Sequence, residues 1–110
     1  MKVSELFVAA ALLLSVASTA QAGEDFKLVL RDHKFEPAEL SLPAGQKVKL
    51  LLENLDASPE EFESYALNRE KLIPANGKVT LFLEPLKPGR YEFFGDFHKD
   101  TAQGAVVVKE

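Results

Sequence analysis

The sequence predicts an all-β fold, a Greek-key β-sandwich, on three observations. Short runs of β-branched and aromatic residues are separated by turn formers at roughly 8–12-residue intervals. No part of the chain after its first two dozen residues holds an apolar stripe of helical period. The hydrophobic fraction is 46% with no cysteine at all, so side-chain packing between layers must supply the stability that disulfides supply in many exported domains of this size. A helix over residues 59–72 is the competing assignment, but Phe62, Tyr65, Leu67 and Ile73 do not share one helical face.

The elements follow in order. Residues 1–22 read as a targeting segment: Lys2 is the positive start, Leu6 to Val16 the apolar run, and Ala20-Gln21-Ala22 a small-x-small cleavage site. The run is nearer half the ~20 residues that a membrane-spanning helix needs, so an uncleaved anchor is the weaker alternative. The expected product starts near Gly23, is exported to a periplasm and has no direct membrane insertion after signal cleavage. Residues 23–110 form one small domain.

Phe26 to Leu30 is the first strand. His33 to Pro37 is a crossing segment, because proline lacks a donor and holds Glu36 extended. Glu39 to Leu42 alternates with period two, and Pro43-Ala44-Gly45 turns the chain. Val48 to Glu53 is nearly all apolar, as expected of a strand buried on both faces. Asn54 to Pro59 is a cluster of loop formers. Glu61 to Leu67 runs extended with Phe62 turned inward. Asn76-Gly77 is a strong hairpin signal before a strand at Lys78 to Leu83. Pro88-Gly89 leads into Arg90 to Phe94, and Gly104 to Lys109 closes the sandwich. The expected pairing is antiparallel.

The formal charge of −4 is unchanged by loss of the first 22 residues, since Lys2 and Glu5 cancel. Lysines and arginines are scattered, which argues against nucleic acid and against an anionic membrane surface. No nucleophile–base pair, phosphate loop or carboxylate pair of hydrolytic type is visible.

Several segments together resemble the cupredoxins: Phe35-Glu36-Pro37, Leu40-Ser41-Leu42-Pro43-Ala44-Gly45 and Asn54-Leu55-Asp56, then Pro88-Gly89-Arg90-Tyr91 through His98 to Gly104. The resemblance implies a cupredoxin-like sandwich over most of residues 26–109. It departs at the metal. A blue-copper member would place a histidine near Glu60, a cysteine near Gly95, a histidine at His98 and a methionine near Ala102. Only His98 is kept, so the resemblance does not imply type 1 copper. A narrower resemblance, in Glu61-Phe62-Glu63-Ser64, Arg69-Glu70-Lys71, Pro85-Leu86-Lys87-Pro88-Gly89 and Phe97-His98-Lys99-Asp100-Thr101-Ala102-Gln103-Gly104, is to the cupredoxin-like modules of bacterial ferrous-iron uptake systems. It implies an iron ion or copper ion as the bound species. It also implies an inner-membrane iron permease, or another periplasmic iron-uptake component, as partner.

The candidate metal ligands are Glu61, Glu63, Asp96 and His98. Glu61 and Glu63 project from one face of a strand, and a cation between them would relieve their repulsion. Asp96 and His98 stand on the loop that such a fold brings to the same pole. The set suits iron, manganese, zinc or Cu(II) and disfavours Cu(I). Each residue has a plain alternative: a solvated strand face for the glutamates, a hydrogen-bonded loop histidine for His98. Glu60, Glu70 and Asp100 read as supporting ligands or surface charge. Arg69 and Lys71 are candidates for ion pairs to the acidic cluster or for plain solubilising charge. His33 reads as structural at the far end of the first strand, with a second metal site as the alternative. Phe93, Phe94 and Phe97 read as core and rim. The functional expectation is a binding protein that assists high-affinity iron uptake, at most an accessory ferroxidase. The alternative is a metal-free cupredoxin-fold interaction module.

Overall fold

The structure, a computed structural model, describes residues 25–110, so the expected targeting segment at residues 1–22 lies outside the described residues. Nine strands follow: β1 (Asp25–Arg31), β2 (Lys34–Glu36), β3 (Glu39–Pro43), β4 (Val48–Asn54), β5 (Glu60–Ser64), β6 (Arg69–Ile73), β7 (Lys78–Leu83), β8 (Gly89–Gly95) and β9 (Gln103–Lys109). They form two facing sheets, ordered β2-β1-β4-β7 and β3-β9-β8-β5-β6. Among the described residues no helix is long and apolar enough to cross a membrane.

The all-β sandwich is as the sequence predicts, but both sheets are mixed rather than antiparallel. β1 runs parallel to β4, and β3 runs parallel to β9. Pairing of strands distant in sequence is what a Greek key does, and local patterns carry no record of it. The parallel alignment of β1 and β4 puts their C-terminal ends, Arg31 and Asn54, at the same pole.

Period-two alternation fills the space between the sheets. Leu28 and Leu30 of β1, Leu50 and Leu52 of β4, and Leu81 and Leu83 of β7 face Phe62, Phe93, Val106 and Val108 of the other layer, all buried. Phe93 sits between Phe35 and Phe62, with ring centroids 5.2 Å and 5.1 Å away. Such edge-on and tilted contacts add to area burial. Val48 to Glu53 is covered on one face only: Lys49 is exposed, and Leu51 and Glu53 are half-buried. Outer-face residues of β4 are partly covered by neighbours, including Lys27 paired to Glu53 at 2.9 Å.

Two further elements differ from expectation. Strand β6 has no counterpart among the expected strands, because its pattern is exposed at every residue except Ile73. It is a charged edge strand, a usual way to block edge-to-edge association, and it pairs with β5 across a turn at residues 65–68. Asn76-Gly77 does turn the chain, with Asn76 at φ 54° and Gly77 N–H donating to the Pro74 carbonyl. It joins β6 to β7 in opposite sheets, so it is a crossing, not a hairpin.

Candidate metal centre

Three connections meet at the pole where β1 and β4 end. The first is the two-residue turn of Asp32 and His33. Both residues are left-handed, at φ 52° and 58°, which is the type I′ hairpin geometry usually given to Asn-Gly or Gly-Gly. Asp56 makes it tenable: its carboxylate accepts the Asp32 N–H at 2.8 Å and the His33 N–H at 3.0 Å. Asp56 is itself held by Asn54, whose buried side chain accepts the Asp56 N–H and donates to the Ser58 and Ile73 carbonyls.

The second connection leads into β5. Alternation along this strand puts Glu60, Phe62 and Ser64 inward and Glu61 and Glu63 outward. Glu60 is fully buried. One carboxylate oxygen accepts the backbone N–H of Glu61 at 3.0 Å and of Phe97 at 2.8 Å. The other lies 2.6 Å from Nδ1 of His98. These contacts supply what a buried carboxylate requires.

The third connection is the loop from Asp96 to Ala102, closed by the Gly95 N–H donating to the Ala102 carbonyl at 2.7 Å. Gly95 has no room for a side chain. A Cβ there would lie 2.6 Å from Glu60 Cδ and 2.7 Å from Ala102 Cβ. His98 caps this inner group and stacks on His33, the ring centroids 3.6 Å apart and the planes 11° from parallel. His33 is therefore at the pole beside His98, not remote from it.

A separate group occupies the outer face of β5 and β6. Glu61, Glu63 and Glu70 each offer an oxygen within 4.8 Å of the others, and Glu63 pairs directly across from Glu70. A hydrogen bond to Glu70, then desolvation and the charges of Glu70, Asp96 and Glu63, hold the Glu61 carboxyl above its ordinary value. Desolvation first, then Glu70 and Asp96, does the same for Glu63. Like charges crowded at one place favour protonation or a shared cation. Asp96 adds to this field from the loop, while Lys99 pairs with it at 3.5 Å.

The four sequence-predicted ligands are thus divided. Glu61, Glu63 and Asp96 contribute to the outer acidic group, joined by Glu70. His98 turns its Nδ1 to the inward Glu60. Arg69 does not reach the acidic group, because its guanidinium donates to the Phe82 carbonyl of β7. Asp100 is exposed. Glu60, His33 and Asp56 hold the pole together to a degree that their sequence context does not show. The signal for Glu60 was available: if Phe62 points inward, so must the residue two before it. No local pattern marks Asp32-His33 as a type I′ turn.

This chain belongs to the cupredoxin-like domain family, whose model matches residues 5–108. It is 45% identical over 86 residues to an uncharacterised protein of Rickettsia prowazekii (strain Madrid E), covering 78% of this chain and 69% of that one. Among solved structures, it is similar to the metal-binding domain of the Cu(I)-exporting P-type ATPase CopA of Streptococcus pneumoniae D39, with TM-score 0.72, 19% identity, and 86% and 93% of the two chains covered. It is also similar to auracyanin A, a blue copper protein of Chloroflexus aurantiacus, with TM-score 0.68, 17% identity, and 80% and 100% covered. At such identities the likeness is one of fold. The residues present do not fit sulfur-ligated copper: the chain has no cysteine, Glu60 fills the space beside Gly95, and Ala102 is packed against it.

Proposed function

We propose that this protein is a periplasmic metal-binding member of the family that takes up a hard or borderline cation, iron first, and hands it to a component of an inner-membrane iron permease system. The observation that carries the reading is the convergence of Glu61, Glu63 and Glu70 within 4.8 Å, with Asp96 adding charge from the neighbouring loop. Oxygen ligands on an open strand face suit iron and manganese better than Cu(I). Glu61 and Glu63 are half-buried and Glu70 is exposed, which leaves the face open for an ion to enter and leave, as a carrier requires. Periplasmic placement rests on the segment at residues 1–22, and the permease rests on the resemblance of the residue 61–71 and 97–104 motifs.

The test is calorimetric titration of the purified protein with Fe(II), under anaerobic conditions, and with Fe(III) citrate. The expected result is binding that Glu61→Gln with Glu63→Gln weakens by tenfold or more. Absence of binding, or binding indifferent to that pair, refutes the reading. The competing reading is a metal-free interaction module. The Glu60 carboxylate filling the inner position, with its hydrogen bonds satisfied, favours it.

A further inference from the structure

We propose that strand β7 is a docking edge for a second copy of this chain, the two β7 strands pairing antiparallel about Leu81 so that the sheets of both copies become one. The inference does not rest on the iron reading above.

Among the described residues the two sheets leave four edge strands, β2 and β7 in one and β3 and β6 in the other. An unpaired edge is a template for another strand unless it is short, charged or interrupted by proline. β2 has three residues and is charged at both ends. β3 begins at Glu39 and finishes at Pro43. β6 carries Arg69, Glu70 and Lys71. β7 has no such guard: Val79 to Leu83 include neither charge nor proline, and Phe82 on the outer face is 49% exposed.

Sheet pairing fixes which backbone groups of β7 are turned outward. Along an antiparallel strand they point alternately toward the neighbour and away from it. The Asn54 N–H donates to the Gly77 carbonyl at 2.8 Å. In the register Leu52↔Val79, Leu50↔Leu81 and Val48↔Leu83, steps of two from that bond make Val79, Leu81 and Leu83 the residues bonded to β4. Lys78, Thr80 and Phe82 therefore turn their groups outward, and the Arg69 guanidinium meets the Phe82 carbonyl on that side. A carbonyl oxygen has two lone pairs, so one is left for a partner strand.

Charge at the two ends of the strand selects the occupant. A two-fold axis at Leu81, as in an isologous dimer, sets Thr80 opposite Phe82 and Lys78 opposite Glu84 of the second copy. These side chains share the outer face by period-two alternation, and those of Lys78 and Glu84 are exposed. Opposite charges thus meet at both ends of the seam, with Phe82 packed against Thr80 between them. The contact of Glu84 with Lys47 in its own copy, 4.0 Å long and exposed on both sides, is too loose to compete. An axis at Thr80 would set Lys78 opposite Phe82, and one at Phe82 would set Glu84 opposite Thr80, so charge pairing singles out Leu81. One strand pair is smaller than a standard interface, so association is weak and depends on concentration.

The experiment is sedimentation equilibrium of the purified protein from micromolar to millimolar concentration, with amide hydrogen exchange at both ends of the range. A monomer–dimer equilibrium is expected. The Thr80 and Phe82 amides should exchange more slowly as the dimer fills, while those of Val79, Leu81 and Leu83 keep their rates relative to the rest of the core. Lys78→Glu and Glu84→Lys each place like charges opposite one another at two symmetry-related points, and each should weaken the dimer by about tenfold. The double variant restores opposite charges and should restore the dimer. A monomer throughout, a dimer that slows amides elsewhere, indifference to the single reversals, or failure of the double variant to associate would each overturn the proposal.

Discussion

Replacing Gly95 by alanine tests whether the inner position is filled as described. The backbone of Gly95 is not left-handed, so alanine meets no conformational penalty and any cost is steric. The new Cβ would sit 2.6 Å from Glu60 Cδ, 2.8 Å from Glu60 Oε2 and 2.7 Å from Ala102 Cβ. Ordinary carbon contacts are at about 3.5–4.0 Å, so all three neighbours are too close by the better part of an ångström. Glu60 cannot withdraw freely, because its oxygens hold the Glu61 and Phe97 amides and His98. Overpacking of a fixed site costs about 1–3 kcal/mol, and the upper half is expected here. For a domain of this size that lowers Tm by roughly 8–24 °C. Urea unfolding followed by far-ultraviolet circular dichroism is the assay, since the chain has no tryptophan. Glu60→Ala removes two of the three clashing atoms, so Gly95→Ala should cost less in that background, with a coupling of about 0.5–3 kcal/mol. The rescue is partial because Ala102 remains. Wild-type stability in Gly95→Ala, or strict additivity with Glu60→Ala, would refute the reasoning.

Two more predictions concern the charged groups. Glu61 and Glu63 have carboxyl pKa values raised by folding, so the folded state holds protons more tightly than the unfolded one. Their contribution is favourable below the unfolded value and is lost as pH rises through the higher folded one. Glu61→Gln with Glu63→Gln should therefore raise Tm at pH 7, and the gain should vanish near pH 4; a gain that grows on acidification would reverse the sign of the argument. Asp56→Ala leaves the Asp32 and His33 N–H groups without their acceptor in a turn of two left-handed residues. A cost of about 1–3 kcal/mol is expected, with faster hydrogen exchange at those two amides. Unchanged exchange would mean that the turn holds without Asp56.

The parts of the fold that were legible are those set by neighbours in sequence. Alternation placed Phe62, Leu40 and Leu42 inward, and Gly45 marked a real turn, left-handed at φ 73°. What was not legible depends on partners far along the chain. Parallel pairing of β1 with β4 sets Leu30 beside Asn54, and with the turn held by Asp56 it brings His33 to the pole. Strand β6 carries no apolar alternation, because as an edge strand it owes its place to backbone pairing with β5. The acidic residues are recognisable as a group with Glu70 as a supporting ligand or surface charge, and the pairing of β6 with β5 is what sets Glu70 directly across from Glu63. His98 is separated from them by its contact to Glu60, whose inward direction follows from that of Phe62 but whose partner lies 38 residues away.

Glu60 decides how the pole works. A position next to Gly95, His98 and Ala102 could hold an ion only if the space between them were open and lined by donors. Here one side chain of the protein fills it, and its three hydrogen bonds tie β5, the Asp96–Ala102 loop and His98 together. The loop is thereby held in place without a metal, and His98 is left with its outer nitrogen free. Any ion that binds must do so further out, as on the carboxylate face of β5 and β6. Such sites are open on the solvent side and lack the enclosure that keeps a resident cofactor in place. That disposition agrees with the proposed role of passing an ion on, for which exchange of the ion, rather than its retention, is the behaviour to measure.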